Sequence, residues 1–234
     1  MKKINLGKLL WRFPREFVKM CITYLPGELG FELRTWFWQK RLKHLGNEVT
    51  IDVGVYFQNP QHISLEDHCW IDRNVIILAG PPGGQRITYT KNNPDFSLDP
   101  GAVVIGKDTH IAPNCVLSGI GGIYIGKNCG VASHSAIYSY SHHYRNLSDK
   151  QDSFQYTFSP RVRVDQQSMI CGPIVIEDYC AIGLSSVILP GVTIKTGSWI
   201  ASGSIITESC DPQTLTYFDQ GKKQKSLANL TIKE

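Results

Sequence analysis

The sequence predicts a mainly β fold, a parallel β-helix solenoid with a short N-terminal α-helical cap. Three observations carry that prediction. First, Ile176, Ile182, Ile188, Ile194, Ile200 and Ile206 place one aliphatic residue at every sixth position without a break. Six is neither the helical period of 3.6 nor a simple strand alternation over so long a stretch, and a fixed repeat marks a solenoid. Second, the same spacing returns upstream, at Ile51 and Phe57, at Leu65, Ile71 and Ile77, at Ile105, Ile111 and Leu117, and at Ile125, Val131 and Ile137. Three such repeats close one triangular coil, and stacked coils bury the ladder as a continuous core. Third, residues 1–46 lack this period and are spaced like helices instead.

Taken in order, residues 1–46 form an amphipathic helical segment. Leu9, Leu10, Phe13, Phe17 and Met20 alternate with Lys2, Lys3, Lys8, Arg12, Arg15 and Lys19. Pro26-Gly27 interrupts the pattern, and Leu29, Leu33, Trp36 and Phe37 resume it until Gly46, a plausible helix stop. Two readings stand beside each other: helices that cap the open end of the solenoid, and a basic, aromatic face that rests on an anionic membrane surface. The β-helix occupies residues 47–208, with an irregular turn at Asn59-Pro60. Two excursions leave it, 79–103 and 142–172, the first rich in Pro, Gly and Asn. Loops of this length on a rigid scaffold are where sites tend to lie. Residues 209–234 read as a C-terminal cap and tail.

Composition narrows the function. A chain of 234 residues with net charge +4 carries no nucleic-acid motif. It has no apolar run near the length of a membrane span. No clean apolar core with a cleavage site marks the N-terminus as a secretory signal, so a cytoplasmic protein is expected, at the inner face of the membrane if the second reading of the N-terminus holds. The seven cysteines explain themselves by position. Cys69, Cys115, Cys129 and Cys180 each stand four residues after a ladder residue, a slot that Ser135, Ser186, Ser198 and Ser204 fill elsewhere. They read as small buried hydrophobes with free thiols. No Cys/His spacing suggests zinc, and His134 and His142, eight apart, lack the spacing of a shared metal site.

The motifs Ile-Gly-Lys-Asn-Cys-Gly-Val-Ala (125–132), Ser-His-His-Tyr (141–144), Leu-Pro-Gly-Val-Thr-Ile (189–194) and Ala-Ser-Gly-Ser-Ile-Ile-Thr (201–207) resemble those of the hexapeptide-repeat acyltransferases. More narrowly, they resemble the maltose/galactoside O-acetyltransferase branch and related polysaccharide-biosynthesis acetyltransferases. The resemblance implies a left-handed β-helix, a homotrimer with active sites between subunits, and acetyl-CoA as acyl donor with no metal. It places the catalytic histidine on His142. The positions that line the CoA arm fall on Ala132, Gly183, Leu184, Ala201, Ser202 and Thr207. The acceptor-binding Asn/Asp has two candidates, Asp72 and Asn114, and His143 and Tyr144 are further substrate contacts. Two departures stand out: Ala181 replaces a tryptophan common in the sugar-specific branch, and Tyr217–Lys222 replaces an Ala-Gly-x-Pro-Ala-Lys-like stretch at the nucleotide end of CoA.

Transfer of an acyl group from a thioester to an alcohol needs a proton acceptor, a stabilised oxyanion and two substrates held together. A histidine with reference pKa near ~6.5 suits the first task. His142 is therefore read as general base, with backbone N–H groups near residues 130–133 as oxyanion donors. No cysteine has a Cys-His-acid context, so direct transfer is expected rather than an acyl-enzyme. Arg161, Arg163 and Lys222 read as solvated charges or as contacts for CoA phosphates. His62, His68, His110 and His134 read as ladder-flank or surface residues. The leading expectation is O-acetylation of a sugar in surface-polysaccharide synthesis. N-acylation of an amino-sugar nucleotide and a non-catalytic scaffold are the alternatives.

Overall fold

The computed structural model describes residues 6–83, 87–93, 95–218 and 222–226. Two helices come first, α1 (Leu6–Tyr24) and α2 (Gly27–Gln39), with Pro26 in extended conformation between them. A buried cation fastens them to the solenoid. Arg34 of α2 is 1% exposed, and its Nη1 donates to the carbonyls of Leu25 (2.7 Å) and Ile22 (3.3 Å) while Nε donates to that of Ile51 (2.8 Å). Burial lowers the guanidinium pKa and the nearby Asp52 carboxylate opposes that shift.

The repeat builds a left-handed parallel β-helix, a crossover hand opposite to the usual one. Each coil contributes one short strand to each of three faces. The first face stacks His44–Leu45, Ile63–Leu65, Val103–Ile105, Ile123–Ile125, Ile174–Ile176 and Thr193–Ile194. The second stacks Thr50–Ile51, Trp70–Ile71, His110–Ile111, Gly130–Val131, Ala181–Ile182 and Trp199–Ile200. The hairpin Thr214–Phe218 and Lys222–Ser226 then closes the far end of that face. The third stacks Tyr56–Gln58, Ile76–Leu78, Val116–Ser118, Ala136–Tyr138, Val187–Ile188 and Ile205–Ile206.

In-register pairing turns the sixfold spacing into columns. Ile71, Ile111, Val131, Ile182 and Ile200 lie one above another and are at most 2% exposed. Each such side chain contributes up to about 1.5–3 kcal/mol by leaving water. Between faces the chain turns through a left-handed residue three positions after the ladder, as at Asn74, Asp108, Asn114, Asn128 and His134. Asn and Asp tolerate that conformation best.

The small-residue slot differs from its sequence reading in one respect. Its occupants are buried as expected, but several of them also donate. Thr109 Oγ1 reaches the Gly126 carbonyl at 2.8 Å, Ser135 Oγ that of Gly183 at 2.9 Å, and Cys69 and Cys115 Sγ those of Gly106 and Ala132 at 3.1 and 3.2 Å. At these positions the small donor satisfies a corner carbonyl of the next coil, while Val75 and Val192 fill the same slot by size alone. Burial pushes the Cys69 thiol up to about 12 and that of Cys115 up to about 11.

The two excursions are not independent loops. Tyr140–His143 pairs antiparallel with Ser168–Cys171, which pairs parallel with Ile87–Thr90 of the earlier excursion. The earlier excursion also lies over the first face, where Phe96 packs on Tyr124 at 4.8 Å and Asn93 Nδ2 donates to Thr193 Oγ1 at 2.9 Å. The third face carries the apolar outward column Tyr56, Ile76, Val116, Ala136, Val187 and Ile205. Three of its members, Tyr56, Ile76 and Ile205, are 54%, 36% and 50% exposed.

Candidate active site

A groove of about 510 Å³ runs along the second face. Its origin is the outward column of that face, which reads Thr50, Trp70, His110, Gly130, Ala181, Trp199 and Leu215 from coil to coil. Gly130 and Ala181 leave a gap in the column. His110 stands on one side of the gap and Trp199 on the other, three coil steps apart, or about 14 Å at ordinary strand spacing. The floor is side-chain-poor because the strands there open on the small residues Gly130 and Ala181. Ala181, the departure from the sugar-specific branch, forms part of that floor.

Ala132, Gly183, Leu184, Ala201 and Ser202, five of the six positions assigned to the CoA arm, line this groove together. They stack because each follows a ladder residue by one or two positions, at the edge where the second face turns into the third. Thr207, the sixth, follows the last third-face strand and lies at a different edge. Gly183 is needed for close approach: a Cβ there would lie 2.5 Å from Ser202 N and 2.7 Å from the Ile200 carbonyl. The backbone donors expected near residues 130–133 are mostly committed, since Gly130 N–H donates to Cys180 O and Ala132 N–H to Ile182 O.

Asp72 and Asn114 sit at the same edge, two coils and one coil before Ala132, respectively. Asn114 is an exposed corner residue with φ of 62°. Asp72 is largely buried and its oxygens are engaged. Oδ1 accepts the Arg73 N–H at 2.7 Å, and Oδ2 lies 3.3 Å from His110 Nε2. The His110 ring packs against Trp70 at 4.9 Å. A sequence reading misses this pair because its members are 38 residues apart and His110 has no motif. The usable signal was the shared coil position, which puts His110 directly over Trp70 and beside Gly130.

His142 lies at another edge, on the strand that opens the second excursion. It opposes Met169 in register, its ring packs on Phe158 at 4.7 Å, and Nε2 is shielded from solvent without a hydrogen-bond partner among the described residues. His143 points to the other side of that strand; its Nδ1 lies 3.1 Å from Arg145 N, and its ring stacks on Tyr144 at 4.7 Å. Tyr144 is exposed beside Arg145. Arg163 pairs with Asp165 at 2.6 Å and Arg161 is exposed, while the side chain of Lys222 lies outside the described residues. Within one chain, then, the structure gathers the small-residue wall with Asp72 and His110, and keeps His142, His143 and Tyr144 elsewhere. Among the described residues no cluster has the make-up of a metal site.

Comparison with known proteins bears on the fold and its class. Residues 173–208 match the family model of the hexapeptide repeat of succinyl-transferase. The chain is 28% identical over 120 residues to a dTDP-4-amino-4,6-dideoxy-D-glucose acyltransferase of Escherichia coli, a match that spans 51% of this chain and 58% of that protein. It superposes on AntD, an N-acyltransferase from Bacillus cereus in complex with dTDP and 3-hydroxybutyryl-CoA, with a TM-score of 0.63 at 18% identity, over 82% of this chain and 87% of that one. A maltose O-acetyltransferase from Clostridium difficile 630 gives a TM-score of 0.52 at 17% identity, over 91% and 84% of the two chains. By the repeat at residues 173–208 and by its fold, the chain is similar to hexapeptide-repeat acyltransferases.

Proposed function

We propose that the protein is a sugar acyltransferase that takes acetyl-CoA as donor and acetylates a sugar hydroxyl in surface-polysaccharide synthesis. The observation that carries this reading is the second-face groove, a side-chain-poor channel in which Ala132, Gly183, Ala201 and Ser202 form one wall. Such a wall lets a pantetheine arm lie along the coils. The relatives with CoA-type donors and sugar acceptors support the class.

The working unit is a homotrimer. The groove and His142 lie at different edges of one prism, and the bare apolar third face offers a surface for a neighbour. Packing the third face of one copy on the second face of the next is a heterologous contact, and a rotation of about a third of a turn per copy closes it into a ring of three. His142 of one copy then serves the groove of another.

In the reaction, the sugar oxygen attacks the thioester carbonyl carbon while His142 accepts the hydroxyl proton. The oxyanion collapses, the C–S bond breaks, and the proton passes from His142 to the departing thiolate. The products are a sugar ester and CoA. An unpartnered, shielded Nε2 suits a base whose partner is supplied by the substrate. Phe158 has to lift from the ring for substrate to reach it.

A second reading places the base at His110, because His110 lines the groove itself and Asp72 holds its Nε2. With Nε2–H directed at the carboxylate, neutral His110 keeps Nδ1 as a proton acceptor. Thiol release from acetyl-CoA against sugars and amino-sugar nucleotides tests both readings. His142→Ala is expected to lower kcat on the order of 10²–10⁴-fold, and His110→Gln is expected to leave kcat within about tenfold. The reverse pattern moves the base to His110. A product stable to mild alkali is an amide, and overturns transfer to oxygen in favour of N-acylation.

A further inference from the structure

We infer that the helical end of the prism docks on an anionic lipid bilayer, with α1 lying in the plane of the interface. The inference is independent of the acyl-transfer reading. Along α1, Phe13, Phe17, Met20 and Tyr24 stand at i, i+4, i+7 and i+11, so they form one stripe. They are 63%, 49%, 51% and 62% exposed, and Phe13 stacks on Phe17 at 5.9 Å. Leu29 and Trp36, seven residues apart on α2, add a second pair of exposed apolar side chains, at 65% and 53%. Exposed aromatics in this density mark an interaction site.

Charge selects the occupant. The first 24 residues carry Lys2, Lys3, Lys8, Arg12, Arg15 and Lys19 against the single acid Glu16. On α2 and just beyond it, the Lys40 ammonium lies 4.8 Å over the Trp36 ring and the Arg41 guanidinium 3.6 Å over Phe37. Cations beside tryptophan and phenylalanine match the headgroup level of a bilayer, where rings sit at the acyl boundary and basic groups meet lipid phosphates. A cleft of about 640 Å³ between the helices and the first coil is lined by Lys19, Met20, Tyr24, Trp38, Arg41 and Tyr56. It gives one headgroup and the start of its chain a place to enter. No described helix is long and apolar enough to cross a membrane, so the contact is with the surface.

The platform is rigid where it meets the prism. Arg34 binds the carbonyls at the end of α1, and Gly54 N–H donates to Thr23 O at 2.9 Å. Docking therefore fixes the orientation of the whole solenoid relative to the bilayer. An acceptor sugar attached to a membrane lipid would be presented to the side of the prism.

Co-sedimentation of the full chain with vesicles tests the inference. The protein is expected to bind equimolar phosphatidylglycerol–phosphatidylcholine vesicles at low salt, to bind pure phosphatidylcholine on the order of tenfold less, and to release as salt rises. The double variant Phe13→Ser/Phe17→Ser is expected to lose partitioning by at least about tenfold at unchanged thermal stability, because both side chains face outward. Leu29→Ser/Trp36→Ser makes the same test on α2 should the first variant fold poorly. Absence of wild-type binding at low salt overturns the inference. So does wild-type partitioning by both variants. If the variants instead dissociate the oligomer without changing vesicle binding, a second copy covers the stripe and the bilayer does not.

Discussion

Gly130 allows the groove to be filled without touching the fold. A Cβ built there meets no atom within 4 Å, and the residue lies in a strand with an ordinary φ. Glycine in a strand interior costs about 0.5–1 kcal/mol relative to alanine. Gly130→Leu should therefore hold Tm or raise it by about 1–3 °C in a chain of this size. Its side chain projects from the centre of the floor, between the His110 and Trp199 rows that stand about 14 Å apart. That blocks an arm lying along the coils. The KM for acetyl-CoA should rise at least about tenfold, equivalent to about 1.4 kcal/mol, with kcat at saturating donor much less affected. Gly183→Ala is the contrast, because its Cβ would press on the backbone of Ser202 and Ile200. It should cost about 1–3 kcal/mol of stability by overpacking. Scanning fluorimetry and thiol-release kinetics read both quantities. Gly130→Leu with wild-type KM would show that the donor does not lie in this groove, and a drop in its Tm would show that the floor is packed rather than open.

Other perturbations probe the support of the site. Arg34→Met should strand the carbonyls of Leu25 and Ile51 at about 1–3 kcal/mol each; accelerated proteolysis after residue 24 and a lower Tm are the expected readouts. The raised thiols of Cys69 and Cys115 predict an alkaline limit. Unfolded thiols ionise near 9 while these remain protonated to about 12 and 11. Their contribution is therefore complete below pH 9 and is lost above it, at up to about 1.4 kcal/mol per pH unit for each. Urea melts from pH 8 to 11 should lose stability over that window, and a Cys69→Ser/Cys115→Ser variant should lose less. Ile76→Asp/Ile205→Asp charges the third face and should yield monomers by light scattering with a native far-UV spectrum, since both side chains point outward.

What the sequence made legible is what the backbone period controls. A side chain that must point inward once per face leaves a ladder, so the columns from Ile51 to Ile206 could be read directly. The left-handed corners were half legible: Asn74, Asn114 and Asn128 suit them, while Tyr179 occupies the same position against its preference. The slot was visible as small residues, but its donor role was not, because a cysteine hydrogen bond to a carbonyl leaves no pattern beyond size. The three-stranded sheet was hidden because its strands lie in two different excursions, and each stretch alone reads as irregular chain. The pairing of Asp72 with His110 was hidden for the same reason, since the earlier excursion between coils separates them in sequence. The groove is defined by what is missing at Gly130 and Ala181, which becomes meaningful only when His110 and Trp199 are stacked beside them.

The separation of His142 from the groove turns oligomerisation from a stability question into a catalytic one. In the proposed ring, the histidine of one copy would serve the groove of its neighbour, so two defects in different subunits can be sorted apart. Consider His142→Ala mixed with Gly130→Leu after co-refolding, each with at most about a tenth of wild-type activity alone at sub-saturating donor. A working site forms wherever a Gly130→Leu subunit supplies His142 to the groove of a His142→Ala subunit. With equal amounts and random assembly, about a quarter of the sites satisfy that condition, so about a quarter of wild-type activity should return. If His142 instead serves the groove of its own chain, every chain carries one defect and mixing restores nothing. Recovery near a quarter, scaling with the product of the two mole fractions, would place the chemistry between copies. Its absence, with mixed trimers demonstrated by mass, would transfer the base to His110, which already lies in the groove with Asp72 behind it.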